Sequence, residues 1–355
     1  MNTPVRIRGM EFSVPKLTLT NDDMAKIVET SDEWIRQRTG IGERHVVSGE
    51  EDAVTLGIEA AEKLIANTGI DPQSIDMIIS ATSAPQRPYP SVACEVQNAI
   101  GADNASAFDL VAACSGFLYA MQMARANINS GFAKRILVMA ADATTKFIDW
   151  TDRASCVLFG DGAAATIMEV SEDGQDDIVT IHLESDGKCK EFISLNLPNQ
   201  NCPLAEPHQN PENFHVQMAG KDVYKYVMQK IPAVIKKTLE EANMTIDDID
   251  YFIPHQANLR MIEALTTRIK IAPEKVLHNI EHYGNIYPLC NFRKNKIGRN
   301  QNSRNGFIKR FRRRNDLCRC NHQNQIITLI TKRKIYETSC YNRYGLRITI
   351  RCRCR

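Results

Sequence analysis

No stretch of this sequence comes near the roughly 20 consecutive apolar residues that a membrane-crossing helix needs, so a spanning protein is not expected. The opening segment, MNTPVRIRGMEFSVPK, lacks the apolar core of a secretion signal, and a cytoplasmic chain is the expectation. The eleven cysteines lack the spacing of a disulfide framework, and in 355 residues they read as reduced thiols. The last 70 residues lack acid: Ile286 to Arg355 holds 19 Lys and Arg against 2 Asp and Glu. The preceding 285 residues hold 25 basic and 40 acidic side chains, so the net charge of +2 joins an acidic body to a basic tail. Six of the eleven cysteines also fall in the tail, and the two parts require separate readings.

What the chain does have is apolar material, 43% of its residues, enough for a large α/β core or for two domains. IDMIIS (75–80) and RILVMAA (135–141) are short branched runs of the kind found in buried strands. VTLGIEAAEKLIANTG (54–69) repeats its apolar positions at three and four and stops at Gly69, as a helix does. VYKYVMQKIPAVIKKTLEEAN (223–243) has the same period, with Pro232 as a candidate kink. ASCVLFGDGAAATIMEV (154–170) reads as strand, Gly-Asp-Gly turn, strand. Its GDGAAA carries the letters of a dinucleotide loop, but strand-like TIMEV comes next, where that loop requires a helix. At an offset of 174, LIANTGIDPQSIDMIIS (64–80) lies over TLEEANMTIDDIDYFIP (238–254). In each copy a helix passes through an acidic loop into a strand, which suggests a duplicated α/β unit with ligands at the strands' carboxyl ends.

Cys114 stands between the strand-like AFDLV and the helical SGFLYAMQMARANI. Ala112, Ala113, Ser115 and Gly116 are small enough for a sharp strand-to-helix bend. A thiol there feels the positive end of the helix dipole, which favours thiolate, and its own N–H can meet a carbonyl oxygen. A lone cysteine in an apolar stretch is equally suited to plain packing. Two polar partners bear on the choice. His255 comes after the strand-like YFIP, and Asn285 ends the turn in NIEHYGN. A Cys, His and Asn set serves either as a hydrolase relay, with Asn orienting His, or as an acyl-transfer site with both side chains on a developing oxyanion. Spacing leaves both open.

Together these segments resemble the β-ketoacyl-acyl-carrier-protein synthase III family, the initiating condensing enzymes of bacterial fatty acid synthesis. The matching words are SDEWIRQRTGIGERH (31–45), DLVAACSGFLYA (109–120), VLFGDGAAA (157–165), IPHQANLR (253–260) and HYGN (282–285), in order across about residues 1–285. The resemblance implies a thiolase-like, duplicated αβαβα layered fold. It divides the chain into an N-terminal half with the nucleophile (1–172), a truncated C-terminal half (173–285) and a basic tail outside the family (286–355). It implies that Cys114 takes an acyl group, usually acetyl, from acyl-CoA. It implies that His255 and Asn285 stabilise the enolate formed as malonyl-acyl-carrier-protein loses carbon dioxide. No metal or cofactor is implied. Trp34, Arg38 and Arg153 match positions that hold the CoA nucleotide, and Asn258 a pantetheine contact. Arg260, Lys225 and Arg268 resemble the patch that docks the carrier protein. Tyr89 matches a residue reaching into a partner subunit's acyl pocket, so a homodimer is implied. Read without the resemblance, Trp34 is the buried aromatic of a helix capped at Thr30, with Glu33 closing a capping box, and Arg38 and Arg153 are surface charges.

After HYGN the family continues with small residues opening a helix, two strands and a Gly-rich turn. Here the chain reads IYPLCNFRKNKIGRNQ, and composition changes at the same point. A shift of reading frame just after Asn285 accounts for both changes, and the second half is then expected to be incomplete and the tail disordered or misfolded. KRFRRRND (309–316) and KRK (332–334) offer phosphate contacts without a nucleic-acid-binding motif, so no specific nucleic acid is expected. CRC (318–320) and CRCR (352–355) are too closely spaced for a standard zinc site. QIITLITK (325–332) is a strand-like fragment with no evident partner.

Overall fold

The computed structural model describes residues 3–197, 203–206 and 213–286, with the backbone strands 317–321 and 329–330. The runs 309–316 and 332–334 and the terminal CRCR lie outside the described residues, as do most of the expectations for the tail.

The first half is built on a sheet. Its strands in chain order begin with β1 (Val5–Ser13), then the small pair β2 (Leu17–Thr20) and β3 (Glu43–Val46), which flank α1 (Asn21–Met24) and α2 (Asp32–Thr39). Then come α3 (Ala53–Thr68), β4 (Met77–Ala81), α4 (Val92–Ala99), β5 (Ser106–Leu110), α5 (Gly116–Asn129), β6 (Arg135–Asp142), α6 (Arg153–Cys156) and β7 (Gly162–Val170). The five-stranded sheet has the order β1-β7-β6-β4-β5. β4 lies parallel to both β5 and β6, and β7 runs antiparallel to β6 and β1.

The period of two sorts the strand residues onto two faces. Met77, Ile79, Ile136, Val138 and Ala140 pack with Phe117, Leu118, Met121 and Ile128 of α5. Their neighbours Ile78, Leu137 and Met139 pack on the other face with Leu56, Ala60 and Leu64 of α3 and Val92 and Val96 of α4. The result is helix, sheet, helix, and it explains why β4 is buried at every position. Local signals set the helix ends. Asp52 accepts from the Thr55 N–H at 2.9 Å to open α3, and Gly69 closes it in the left-handed region at φ +66°.

The second half contains β8 (Ile181–Glu184), β9 (Ile193–Leu195), β10 (Val216–Met218), α7 (Gly220–Glu241), α8 (Leu259–Ile269) and α9 (Ile280–Tyr283). Its core joins Val227, Ile231, Ile235 and Leu239 of α7 to Phe252 and to Leu265 of α8. Pro232 lies inside α7 without ending it. The 174-residue offset reappears in the backbone: 3-10 turns at Pro72–Ser74 and Ile246–Asp248 stand at equivalent points. The strand expected at YFIP is, however, a single parallel bridge between Phe252 and Val276.

Two expectations need correction. Residues 154–159 are not a strand. Asp152 accepts from the Ala154 N–H at 2.9 Å and starts the turn of α6, so no hairpin forms around Gly-Asp-Gly. The dinucleotide reading of the same letters also fails, since β7 comes next. The strand-like fragment of the tail does find a partner: β12 (Leu329–Ile330) pairs with β11 (Leu317–Asn321), which runs parallel to β8.

Candidate active site

β5 ends at Leu110, and the chain turns through a 3-10 turn, Ala113–Ser115, into α5. Ala113 takes φ +43°, a left-handed conformation uncommon outside glycine. The Ser115 hydroxyl donates to the Ala112 carbonyl at 2.6 Å and ties the bend. Cys114 therefore sits on a constrained elbow. Its surroundings reverse one expectation. The thiol is only partly exposed, and burial, with the Asp142 carboxylate adding to it, pushes it up to about 12. Withdrawal from water outweighs the helix dipole, so the resting sulfur is a protonated thiol.

Asp142 ends β6, and one of its oxygens accepts from the Thr82 hydroxyl at 2.8 Å, the Ser83 N–H at 2.8 Å and the Ala84 N–H at 2.9 Å. Burial pushes its carboxyl up to about 7, against these bonds. Asp161 accepts from the N–H groups of Thr145 at 2.9 Å and Val47 at 2.8 Å, and burial pushes it up to about 6. A carboxyl raised above its ordinary value contributes stability fully below about pH 4, and that contribution is lost as pH rises to 7. Asp142→Asn keeps the accepting oxygen and removes the charge. It is expected to raise Tm at pH 8, leave it nearly unchanged at pH 4, and move alkylation of Cys114 to lower pH. Thermal melts and iodoacetamide kinetics across that range check both effects.

His255 stands just past Phe252, whose N–H donates to the Lys275 carbonyl at 2.7 Å and whose carbonyl accepts from Leu277 at 2.9 Å. The imidazole is buried, and burial pushes it down to about 4, so it is neutral at pH 7. Its Nδ1 has no hydrogen-bond partner among the described residues. Gln256, also buried, donates to Asn279 Oδ1 at 2.7 Å and accepts from the Asn279 N–H at 2.5 Å. This pair fastens the segment of His255 to that of Asn285. Sequence reasoning missed it. The only signals were two amides flanking the candidate residues, at a separation no local pattern encodes.

Asn285 is half-buried and forms a parallel bridge with Phe159. Its N–H donates to the Leu158 carbonyl at 2.8 Å, and its carbonyl accepts from Gly160 at 3.2 Å. Gly284 permits this entry: it adopts φ +64°, ψ −155°, a region open only to glycine. A Cβ there would stand 2.8 Å from the Leu158 oxygen. Gly284→Ala is expected to cost about 1–3 kcal/mol from backbone strain alone, read by urea denaturation.

Apolar side chains near each of Cys114, His255 and Asn285 share one cluster. Phe117 and Leu118 after Cys114, Ile253 before His255, and Tyr283 and Ile286 around Asn285 all belong to one apolar cluster.

Arg153 lies over the Trp34 ring, 4.7 Å from its centroid, and donates to the Glu29 carbonyl at 2.9 Å. The cap of α2 is Ser31, not Thr30: its hydroxyl accepts from Trp34 N–H at 3.1 Å, while Glu33 binds Gln37 and closes no box. Arg38 is exposed, and its carbonyl accepts from Asn258 at 3.0 Å. Asn258 also caps α8 by accepting from the Arg260 N–H at 2.9 Å, so both ends of its amide are engaged. Arg260 and Arg268 are exposed on α8, and Lys225 is exposed on α7 beside Asp222 at 3.2 Å. Tyr89 is 82% exposed between β4 and α4, in a loop distinct from these helices. Among the described residues no group of His, Cys, Asp and Glu is arranged to hold a metal ion, and no helix is long and apolar enough to cross a membrane.

Comparison with known proteins gives a consistent answer. Residues 108–187 match the family model of 3-oxoacyl-[acyl-carrier-protein (ACP)] synthase III, and residues 239–288 match that of its C-terminal part. Over 283 residues the chain is 40% identical to the beta-ketoacyl-[acyl-carrier-protein] synthase III of Brucella anthropi, covering 79% of this chain and 85% of that one. The enzyme of the same description from Microcystis aeruginosa is 41% identical over 283 residues, covering 79% and 84%. The crystal structure of 3-oxoacyl-[acyl-carrier-protein] synthase III from Aquifex aeolicus VF5 superposes with a TM-score of 0.77 at 33% identity, over 92% of this chain and 99% of that one. At this identity and coverage the relatives show the family: the chain belongs to the β-ketoacyl-acyl-carrier-protein synthase III family of thiolase-like condensing enzymes.

Proposed function

We propose that the chain condenses an acyl group with malonyl-acyl-carrier-protein, and that Cys114, His255 and Asn285 carry the chemistry. Cys114 Sγ attacks the thioester carbonyl of acyl-CoA. The Cys114 proton passes to the departing CoA sulfur, leaving an acyl-cysteine. Malonyl-acyl-carrier-protein then loses carbon dioxide, and the electron pair stays behind as an enolate. Neutral His255 and the Asn285 amide donate to the enolate oxygen. The carbanion attacks the acyl-cysteine carbonyl, Cys114 leaves as thiolate and is reprotonated, and 3-ketoacyl-acyl-carrier-protein is released. The leaving carbon dioxide supplies the carbanion, so the proposal calls for no metal or cofactor. The observation that carries this reading is the strained elbow at Cys114, whose following helix shares one apolar cluster with Ile253, Tyr283 and Ile286 beside His255 and Asn285.

The Trp34 and Arg153 pair suits the adenine and phosphates of CoA, with Arg38 nearby on the same helix. Asn258 is proposed to meet pantetheine by exchanging its bond to Arg38. Arg260, Arg268 and Lys225 are proposed to dock the acidic carrier protein. β5 pairs only with β4 among the described strands, and its free edge, with exposed Val111 just after it and exposed Tyr89 in the loop after β4, supports a homodimer built edge to edge. A cytoplasmic location fits these substrates.

A second reading is a weakly active or inactive thiolase-fold chain that binds acyl-CoA or carrier protein. It is favoured by the end of the C-terminal family match at residue 288 and by the basic composition beyond it. In that reading a frame shift has replaced the Gly-rich turn that gives the oxyanion a second donor, at a cost of about 100-fold or more in rate. Incubation with labelled acetyl-CoA separates the readings. Stable label on Cys114 and subsequent condensation support the first, and no label supports the second. Rapid hydrolysis without condensation would point instead to a cysteine hydrolase.

A further inference from the structure

Arg44 is among the largest side chains with no exposed surface. Among the described residues its guanidinium has no ion-pair partner. Nη1 donates to the Leu19 carbonyl at 3.2 Å, and Nη2 donates to Asn21 Oδ1 at 2.9 Å and to the Val157 carbonyl at 3.0 Å. Nε has no hydrogen-bond partner there. Asn21 in turn donates to Asp32 at 2.9 Å and to the Ile41 carbonyl at 2.8 Å, so Asp32 is reached only through an amide, and the neighbouring Glu43 acts on the guanidinium through space without pairing with it. A buried cation held by neutral oxygens is costly, and a methionine would fill the same space without that cost. The planar guanidinium does what an apolar side chain cannot: it fixes several acceptors at set directions.

One of those acceptors leads to the proposed active site. Val157 precedes Leu158, whose carbonyl receives the Asn285 N–H at 2.8 Å, and Gly160 returns an N–H to the Asn285 carbonyl at 3.2 Å. β3 and the residue after it hold the same strip at its other end: the His45 carbonyl accepts from Asp161 N–H at 2.8 Å, and Val47 N–H donates to Asp161 at 2.8 Å. The His45 ring stacks on Tyr283, two residues before Asn285, with centroids 5.4 Å apart. The Arg44 Cβ stands 3.4 Å from where Gly284 would carry its own.

We propose that Arg44 is a positioning residue for Asn285: its buried guanidinium fixes the 157–160 strip to which the Asn285 backbone is bonded, and so sets where the Asn285 amide stands in the site. This rests on the role of Asn285 in the proposed function. It requires Arg44 to act on the decarboxylation step and not on acyl transfer to Cys114, which hangs from β5.

The test uses full-length Arg44→Lys and Arg44→Met beside the unaltered chain. Three readouts are taken: labelling of Cys114 from radioactive acetyl-CoA, carbon dioxide release from malonyl-acyl-carrier-protein, and native-state hydrogen exchange at the Asn285 amide. Lysine keeps the charge but reaches fewer acceptors. Arg44→Lys is expected to label Cys114 within about threefold of normal while carbon dioxide release falls about tenfold or more. Exchange at Asn285 is expected to rise about tenfold or more while amides of β4 and β6 stay protected. Parallel loss of both half-reactions, unchanged release, or unchanged exchange at Asn285 would overturn the proposal. Should Arg44→Met not fold, Arg44→Lys decides. Should the unaltered chain perform neither half-reaction, the functional reading fails, and exchange at Asn285 alone decides for or against Arg44.

Discussion

Cys114→Ala is expected to take up no label from acetyl-CoA and to lose condensation by about 10⁴-fold or more, the scale on which removing a covalent nucleophile acts. Cys94→Ala, at an exposed thiol on α4, is expected to label normally. The pH dependence is equally diagnostic. Burial and Asp142 push the Cys114 thiol up to about 12. Its alkylation by iodoacetamide is therefore expected to rise about tenfold per pH unit from 7 to 10, where an ordinary thiol of about 8.5 levels off. The same shift links to stability. The folded thiol titrates above the unfolded one, so its contribution is fully present below about pH 8.5 and is lost as pH rises toward 12. A levelling of alkylation near pH 8 would mean that the elbow lowers the thiol after all.

His255→Ala is expected to lower condensation by about 10²- to 10³-fold, the usual effect of removing one donor to a developing oxyanion. Labelling of Cys114 should change far less, because the imidazole acts after acyl transfer. Burial pushes His255 down to about 4, so carbon dioxide release is expected to be flat from pH 8 to 5 and to fall near 4 as the ring takes a proton. A depressed histidine contributes stability above about pH 6.5 and loses it as pH falls toward 4. The variant should therefore lose part of the acid sensitivity of Tm. If labelling and condensation fell together in His255→Ala, the ring would be acting on Cys114 and the hydrolase-like relay would gain ground.

The elements legible in the sequence are those whose cause is local. β4 and β6 are branched apolar runs, α3 runs from an aspartate cap to Gly69, and the small residues around Cys114 announce its bend. The 174-residue repeat is legible because both copies pass through a 3-10 turn at equivalent points, although Asp71 and Pro72 start one and a Thr245–Asp248 capping box starts the other. Where two local signals compete, the letters alone mislead. Thr30 and Ser31 both suit a cap, and only the path of the chain selects Ser31. The letters of 154–159 favour a strand, but Asp152 starts a turn before it can form. Burial is not legible at all. The helix dipole at Cys114 can be read from order in the chain, whereas the loss of water that overrides it depends on how distant parts of the chain close over the elbow. Gln256 with Asn279, and Arg44 with Val157, are pairs made by topology, and no spacing rule reaches them.

The bonds between Asn285 and the Leu158–Gly160 strip act as a clasp between the two halves of the body, and Ile286 still packs in the shared cluster. Every backbone bond of that clasp is made before the sequence departs from its relatives. Hydrogen bonds are directional and apolar contacts are not, so the clasp fixes the register of the two halves where the cluster alone would let them slide.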